Sequence, residues 1–195
     1  MYLDVSSFNT KNVTDMSNMF DGCSNLKSID VSNFDTKNLL DASGMFCNCS
    51  NLIDLDLSNF KYRPTEDFGI YNMFKNCSSL STLDLTGFDT TNENKYLWNE
   101  NAFQNCTSLK TIYATDKLVI KPKDDEYAEY SVDNIFYGCT SLVGGAGTEY
   151  KAPTLYEAPD LDLDLDGSEN ETWRYAHIDE GFANPGYFTK KYLFD

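Results

Sequence analysis

Apolar residues two apart recur along this chain, each pair flanking one carboxylate. The triplets are Ile29-Asp30-Val31, Leu55-Asp56-Leu57 and Leu83-Asp84-Leu85. Residues two apart in a strand share a face, so each triplet predicts a short strand with its Asp on the other face. Ahead of each triplet lies a second apolar block. Met19-Phe20, Met45-Phe46 and Met73-Phe74 are each followed by a Cys (Cys23, Cys49, Cys77) and a Leu (Leu26, Leu52, Leu80). After each triplet comes an aromatic, Phe34, Phe60 or Phe88. Strands this short cannot bury one face alone. Stacked in parallel, they form one sheet over a continuous core.

The blocks belong to a repeat. "MFDGCSNLKSIDVSNFDT" from Met19 returns as "MFCNCSNLIDLDLSNFKY" from Met45 and "MFKNCSSLSTLDLTGFDT" from Met73. "AFQNCTSLKTIYATDKLV" follows from Ala102, and a shortened "IFYGCTSLVGG" from Ile135. The cysteines Cys23, Cys49, Cys77, Cys106 and Cys139 step by 26, 28, 29 and 33 residues. The gaps Phe20 to Phe34, Phe46 to Phe60 and Phe74 to Phe88 stay at 14. Half of each unit is therefore fixed and half absorbs insertions, which cost little in surface loops. Periods in the twenties with regular Leu predict a leucine-rich repeat. The expected fold is α/β: a right-handed solenoid with a parallel β-sheet on the concave face and short helices or loops behind. "NVTDMSNMF" (12–20) reads as one or two helical turns with Asn or Thr caps. An all-β solenoid is the alternative. Residues 1–150 form the array of about five units, the last degenerate, and 151–195 a capping or tail segment.

Charge narrows the partners. Acidic residues outnumber basic ones 31 to 15, for a net charge of −16, which repels nucleic acid and anionic membrane surfaces. No apolar run is long enough to span a bilayer, so no membrane insertion is expected. "MYLDVSSFNT" has neither the basic start nor the apolar stretch of a signal peptide. The chain opens inside a repeat, and the expectation is a fragment, a processed form or a truncated frame.

The residues give little support to catalysis or to cofactors. Five of six cysteines share one repeat slot between an aromatic and a Leu, which suits small buried thiols. No C-x2-C pair offers a zinc site, and Cys47 has no assigned role. The single histidine, His177, lacks partner motifs, and no P-loop, G-x-S-x-G or H-E-x-x-H occurs. N-x-S/T triplets start at Asn12, Asn48, Asn76, Asn105 and Asn170; four sit inside repeats and read as coincidence. No enzyme activity and no cofactor are expected.

The composite "MFxxCSxLxxLDLSxFDT", with "NVTDMSNMF", resembles the BspA-like leucine-rich-repeat surface proteins of bacteria. "FYGCTSLVGGAGTEY" (Phe136 to Tyr150) and "YAHIDEGFANPGYFTKK" (Tyr175 to Lys191) look like their closing segment. The resemblance covers most of the chain, apart from about 86–101, 121–130 and 152–172. It implies a cell-surface or secreted protein of a host-associated bacterium. It implies adhesion and protein–protein contact without catalysis. The shared motif is core, so no binding residue carries over from it.

Binding residues must come from the outward stripes of the strands. The middle stripe is Asp4, Asp30, Asp56, Asp84 and Tyr113, with Asp54 beside it. The flanking stripes are Tyr2, Ser28, Asp54, Thr82, Thr111 and Ser6, Ser32, Ser58, Thr86, Thr115. Carboxylates in register about 4.8 Å apart repel one another. Either each Asp accepts hydrogen bonds from the turn after it, or the ladder attracts a basic partner or cation. Tyr96 and Trp98 in "ENKYLWNE", and Tyr127 and Tyr130 in "KDDEYAEY", lie in inserted loops suited to recognition or to covering the flank. In "DLDLDLDGSENETW", Asp162, Asp164 and Asp166 match the start of a calcium loop. Trp173 stands where its bidentate Glu belongs, and alternating Leu favours a half-buried strand. The expected partner is an extracellular or host-surface protein, with weak self-association through the open N-terminal repeat. The competing expectation is a spacer or terminal cap of a longer surface protein.

Overall fold

The computed structural model describes residues 2–62, 70–89, 100–115, 117–118, 135–143 and 188–190. Three of the strands continue the repeat: β1 (Asp54–Asp56), β2 (Thr82–Asp84) and β3 (Thr111–Ala114). β4 (Phe188–Lys190) adds a fourth, and the parallel order is β1-β2-β3-β4. Each triplet alternates as its sequence dictates. Leu55, Leu83 and Ile112 are in register and buried, and Asp56, Asp84 and Tyr113 are in register on the opposite side. The Ile29-Asp30-Val31 triplet keeps the inward pattern but forms no strand; a single parallel bridge, Tyr2 to Ser28, marks that level.

Equivalent residues of successive copies stack in columns. Phe20, Phe46, Phe74, Phe103 and Phe136 are stacked rings with centroids 5.3, 6.1, 5.6 and 5.3 Å apart. Phe8, Phe34, Phe60 and Phe88 form a second column at 6.3–6.4 Å. Such pairs contribute about 0.5–1.5 kcal/mol each beyond the apolar area they bury. Cysteine fills a buried slot in four of the five copies, as expected from the sequence, while Cys23 in the first copy is half-buried. The Cys49, Cys77, Cys106 and Cys139 thiols are buried, and each donates to the carbonyl of a Phe in the preceding copy at 2.9–3.1 Å. Burial pushes Cys49 and Cys139 up to about 12, far from a reactive thiolate. Cys47 is half-buried and accepts from the Asn48 amide.

The expected helices are a correction: the described residues contain none. "NVTDMSNMF" runs instead as turns around a bridge from Asp15 to Asp41. The reason is local. Each of the first four corners holds two left-handed residues four apart. They are Asn18 and Gly22, Gly44 and Asn48, Asn72 and Asn76, and Asn101 and Asn105, all with φ between 51° and 72°. A right-handed helix cannot pass through them, and Asn and Gly are the residues that tolerate them. Side-chain amides reinforce these corners. Asn48 donates to Asp21, Asn76 to Asn48 and Asn105 to Asn76, each at 2.8 Å. Gly87 answers to a different constraint. A Cβ there would strike the Phe60 carbonyl, where the preceding copy of the backbone passes. Among the described residues no helix is long and apolar enough to cross a membrane.

Candidate binding face

The face of the sheet turned from the core is a shallow hollow of about 540 Å³. Asp30, Asp54, Asp56, Asp84 and Tyr113 line it, together with Asn59, which the sequence stripes did not single out. Where strands or bridges pair, the register is the predicted one. Tyr2 faces Ser28, Asp54 faces Thr82, and Thr82 faces Thr111.

The stripe is not uniform. Asp4, Asp30, Asp54 and Asp56 are exposed, and Tyr113 is half-buried. Asp84 lines the same face but is only 8% exposed. Thr86 engages it twice, donating its N–H at 3.0 Å and its hydroxyl at 2.7 Å. A buried carboxylate held this way is part of the fold.

The turn after each strand explains how like charges tolerate one another. The N–H groups of Ser6, Ser32 and Ser58 donate to Asp4, Asp30 and Asp56 at 2.9, 3.0 and 2.9 Å. The same two-residue turn joins Ser17 to Asp15 and Ser43 to Asp41 at 2.8 Å. Each Asp therefore has a local donor independent of its neighbours. The Ser6 and Ser32 hydroxyls, and then their N–H groups, hold Asp4 and Asp30 below the usual carboxylate range. Those two carboxylates stay ionised at any pH near neutrality, and the exposed face stays negative.

The corners also use residues whose role the stripes did not show. The Thr10 hydroxyl accepts from the Asp35 N–H, and the Thr36 hydroxyl from the Lys61 N–H, both at 2.8 Å. Both threonines are buried. The Asn or Gly directly before each repeat Cys was the readable sign of the left-handed corner. The amides of Asn48, Asn76 and Asn105, whose N-x-S/T triplets read as coincidence in the sequence, are donors in the corner ladder. Tyr96, Trp98, Tyr127, Tyr130, Asp162, Asp164, Asp166 and His177 lie outside the described residues. Among the described residues no group of His, Cys, Asp and Glu is placed to hold a metal ion.

A family model described as "Mycoplasma protein of unknown function, DUF285" matches residues 1–115. No curated protein and no solved structure matches the chain.

Proposed function

We propose that this chain, which belongs to the DUF285 family, is a non-catalytic repeat protein of the bacterial surface that binds another protein through its acidic sheet face. The observation carrying this reading is the set of exposed carboxylates Asp4, Asp30, Asp54 and Asp56 on the face turned from the core. Asx turns satisfy Asp4, Asp30 and Asp56 locally, and Asp54 accepts from the Ser81 hydroxyl of the next copy at 3.0 Å. A face of one sign steers a basic partner and speeds its encounter. The columns of stacked copies support reading the array as a solenoid of leucine-rich-repeat type, in keeping with the BspA-like resemblance. A cell-surface or secreted location and an adhesive role belong to the same proposal. The second reading is a spacer or terminal cap. It draws on the shallowness of the hollow, which has no deep pocket to anchor a ligand.

The test is a binding screen of the whole chain against extracellular-matrix and host-surface proteins at two salt concentrations. A saturable partner whose affinity falls with salt is expected. The double substitution Asp30→Asn and Asp56→Asn should weaken it, by about 1 kcal/mol or more. Asn keeps the side-chain oxygen that the turn needs, so the fold should survive. Undiminished binding by a folded double variant would remove the acidic face from the proposal. Silence across the panel would favour the spacer.

A further inference from the structure

The fifth copy keeps its place in the array as far as Val143. Phe136 stacks on Phe103 at 5.3 Å, and the Cys139 thiol donates to the Phe103 carbonyl at 2.9 Å. Leu142 is buried. The residue after the repeat Leu then makes the same backbone bond in each later copy. Ile53 donates to Lys27, Ser81 to Ile53, Lys110 to Ser81 and Val143 to Lys110, at 2.8–3.1 Å. In the four earlier copies the strand triplet begins three residues after that Leu, at Ile29, Leu55, Leu83 and Ile112. After Leu142 the same positions hold Gly145, Ala146 and Gly147. Glycine gives a strand no side chain to pack and weakens it.

The place beside β3 is nevertheless filled. Phe188, Thr189 and Lys190 of β4 pair in parallel with Ile112, Tyr113 and Ala114. Phe188 thereby takes the register position of Leu55, Leu83 and Ile112, and Thr189 that of Asp56, Asp84 and Tyr113. Val143 stands beside Lys110 and Phe188 beside Ile112, so the two points lie about 6.6 Å apart along one edge. Each earlier copy crosses that step with one residue: Ser28, Asp54, Thr82 or Thr111. Here residues 144–187 stand between them.

We propose that the edge of β3 is a strand-acceptor site, that Phe188–Lys190 is the fifth copy's own strand seated in it, and that residues 144–186 are an insertion into that copy. Joining "CTSLV" (139–143) to "YFTK" (187–190) reproduces, position for position, "CTSLKTIYA" of residues 106–114. The site takes an extended segment running parallel to β3, with a large apolar residue in register with Ile112. Phe and Thr favour strands where Gly does not, so Phe188–Lys190 fits the site and Gly145–Gly147 does not. The entropy of closing a loop grows only slowly with its length, so the strand can be supplied from far along the chain. The last unit is interrupted rather than degenerate. Its strand carries the acidic sheet face one level past Tyr113, to Thr189.

The test is a set of three deletions that differ only in register. Removing residues 144–186 joins Val143 to Tyr187 and restores the spacing of the other copies. Removing 144–185 or 144–187 leaves the strand one residue out of step, which turns its alternate positions to the wrong face. The in-register deletion should fold and melt several degrees above both shifted neighbours. In the full chain, Phe188→Asp should lower the melting temperature. An in-register deletion that fails to fold, or that melts with its neighbours, overturns the proposal. So does a Phe188→Asp chain that melts like the parent, because the acceptor site would then hold no strand that matters to the array.

Discussion

Asn76 holds a left-handed backbone with φ of 62° and links two neighbours through its side chain, donating to Asn48 and accepting from Asn105. The two roles separate by substitution. Asn76→Gly keeps the backbone conformation and loses the ladder. Asn76→Ala loses the ladder and must also place a Cβ in the left-handed region. Urea unfolding should show Asn76→Ala less stable than Asn76→Gly by about 1 kcal/mol. Equal stabilities would mean that the corner relaxes and that φ is no constraint there. This residue type was legible only in hindsight. Asn or Gly before Cys recurs in every copy, but Asn also caps helices, and the sequence pattern alone favoured that use. The Asp stripe was more legible. Period-two spacing set its register, and Asp commonly bonds to the turn that follows. Asp84 escaped because its burial comes from tertiary packing, which triplet spacing does not report.

Single units are too small to be stable, so the element that matters is the column. A ring in mid-column has a neighbour on both sides. Phe74 lies between Phe46 and Phe103 and is fully buried. Phe8 has one neighbour, Phe34, and an exposed face. Phe74→Ala should cost about 3–5 kcal/mol in urea unfolding, and Phe8→Ala clearly less. Similar costs would show that the columns do not carry the stability. The strands were legible because Leu-x-Leu has one reading in a stacked repeat. The helices were not, because the apolar block Met-Phe with Cys three residues on fits a helical turn as well as a tight corner. The left-handed pairs decide between them. The weakest prediction at this scale was the strand at Ile29-Asp30-Val31, where packing is kept and ladder pairing is reduced to a bridge.

Across the whole molecule the titrating groups set the pH range of stability. Buried thiols hold their protons in the folded state, with Cys49 and Cys139 pushed up to about 12 and half-buried Cys47 to about 11. Unfolded, the same thiols ionise from 9.0, so the unfolded state gains as pH rises through that value and stability falls toward about 12. At the acid end Asp4, Asp15, Asp30 and Asp35 are held below 3.8 by hydrogen bonds. Their contribution is present above 3.8 and disappears as pH falls below it. The urea midpoint should therefore drop on both sides of a neutral plateau. A midpoint unchanged between pH 8 and pH 10.5 would contradict the buried thiol column. The backbone bonds between copies have an electrical consequence as well. At the corners they run forward along the chain, as Asn18, Phe20 and Gly22 donate to Ser43, Met45 and Cys47. Elsewhere they run back, as Ile53 donates to Lys27 and Ser81 to Ile53, so peptide dipoles that would add along a helix here partly cancel.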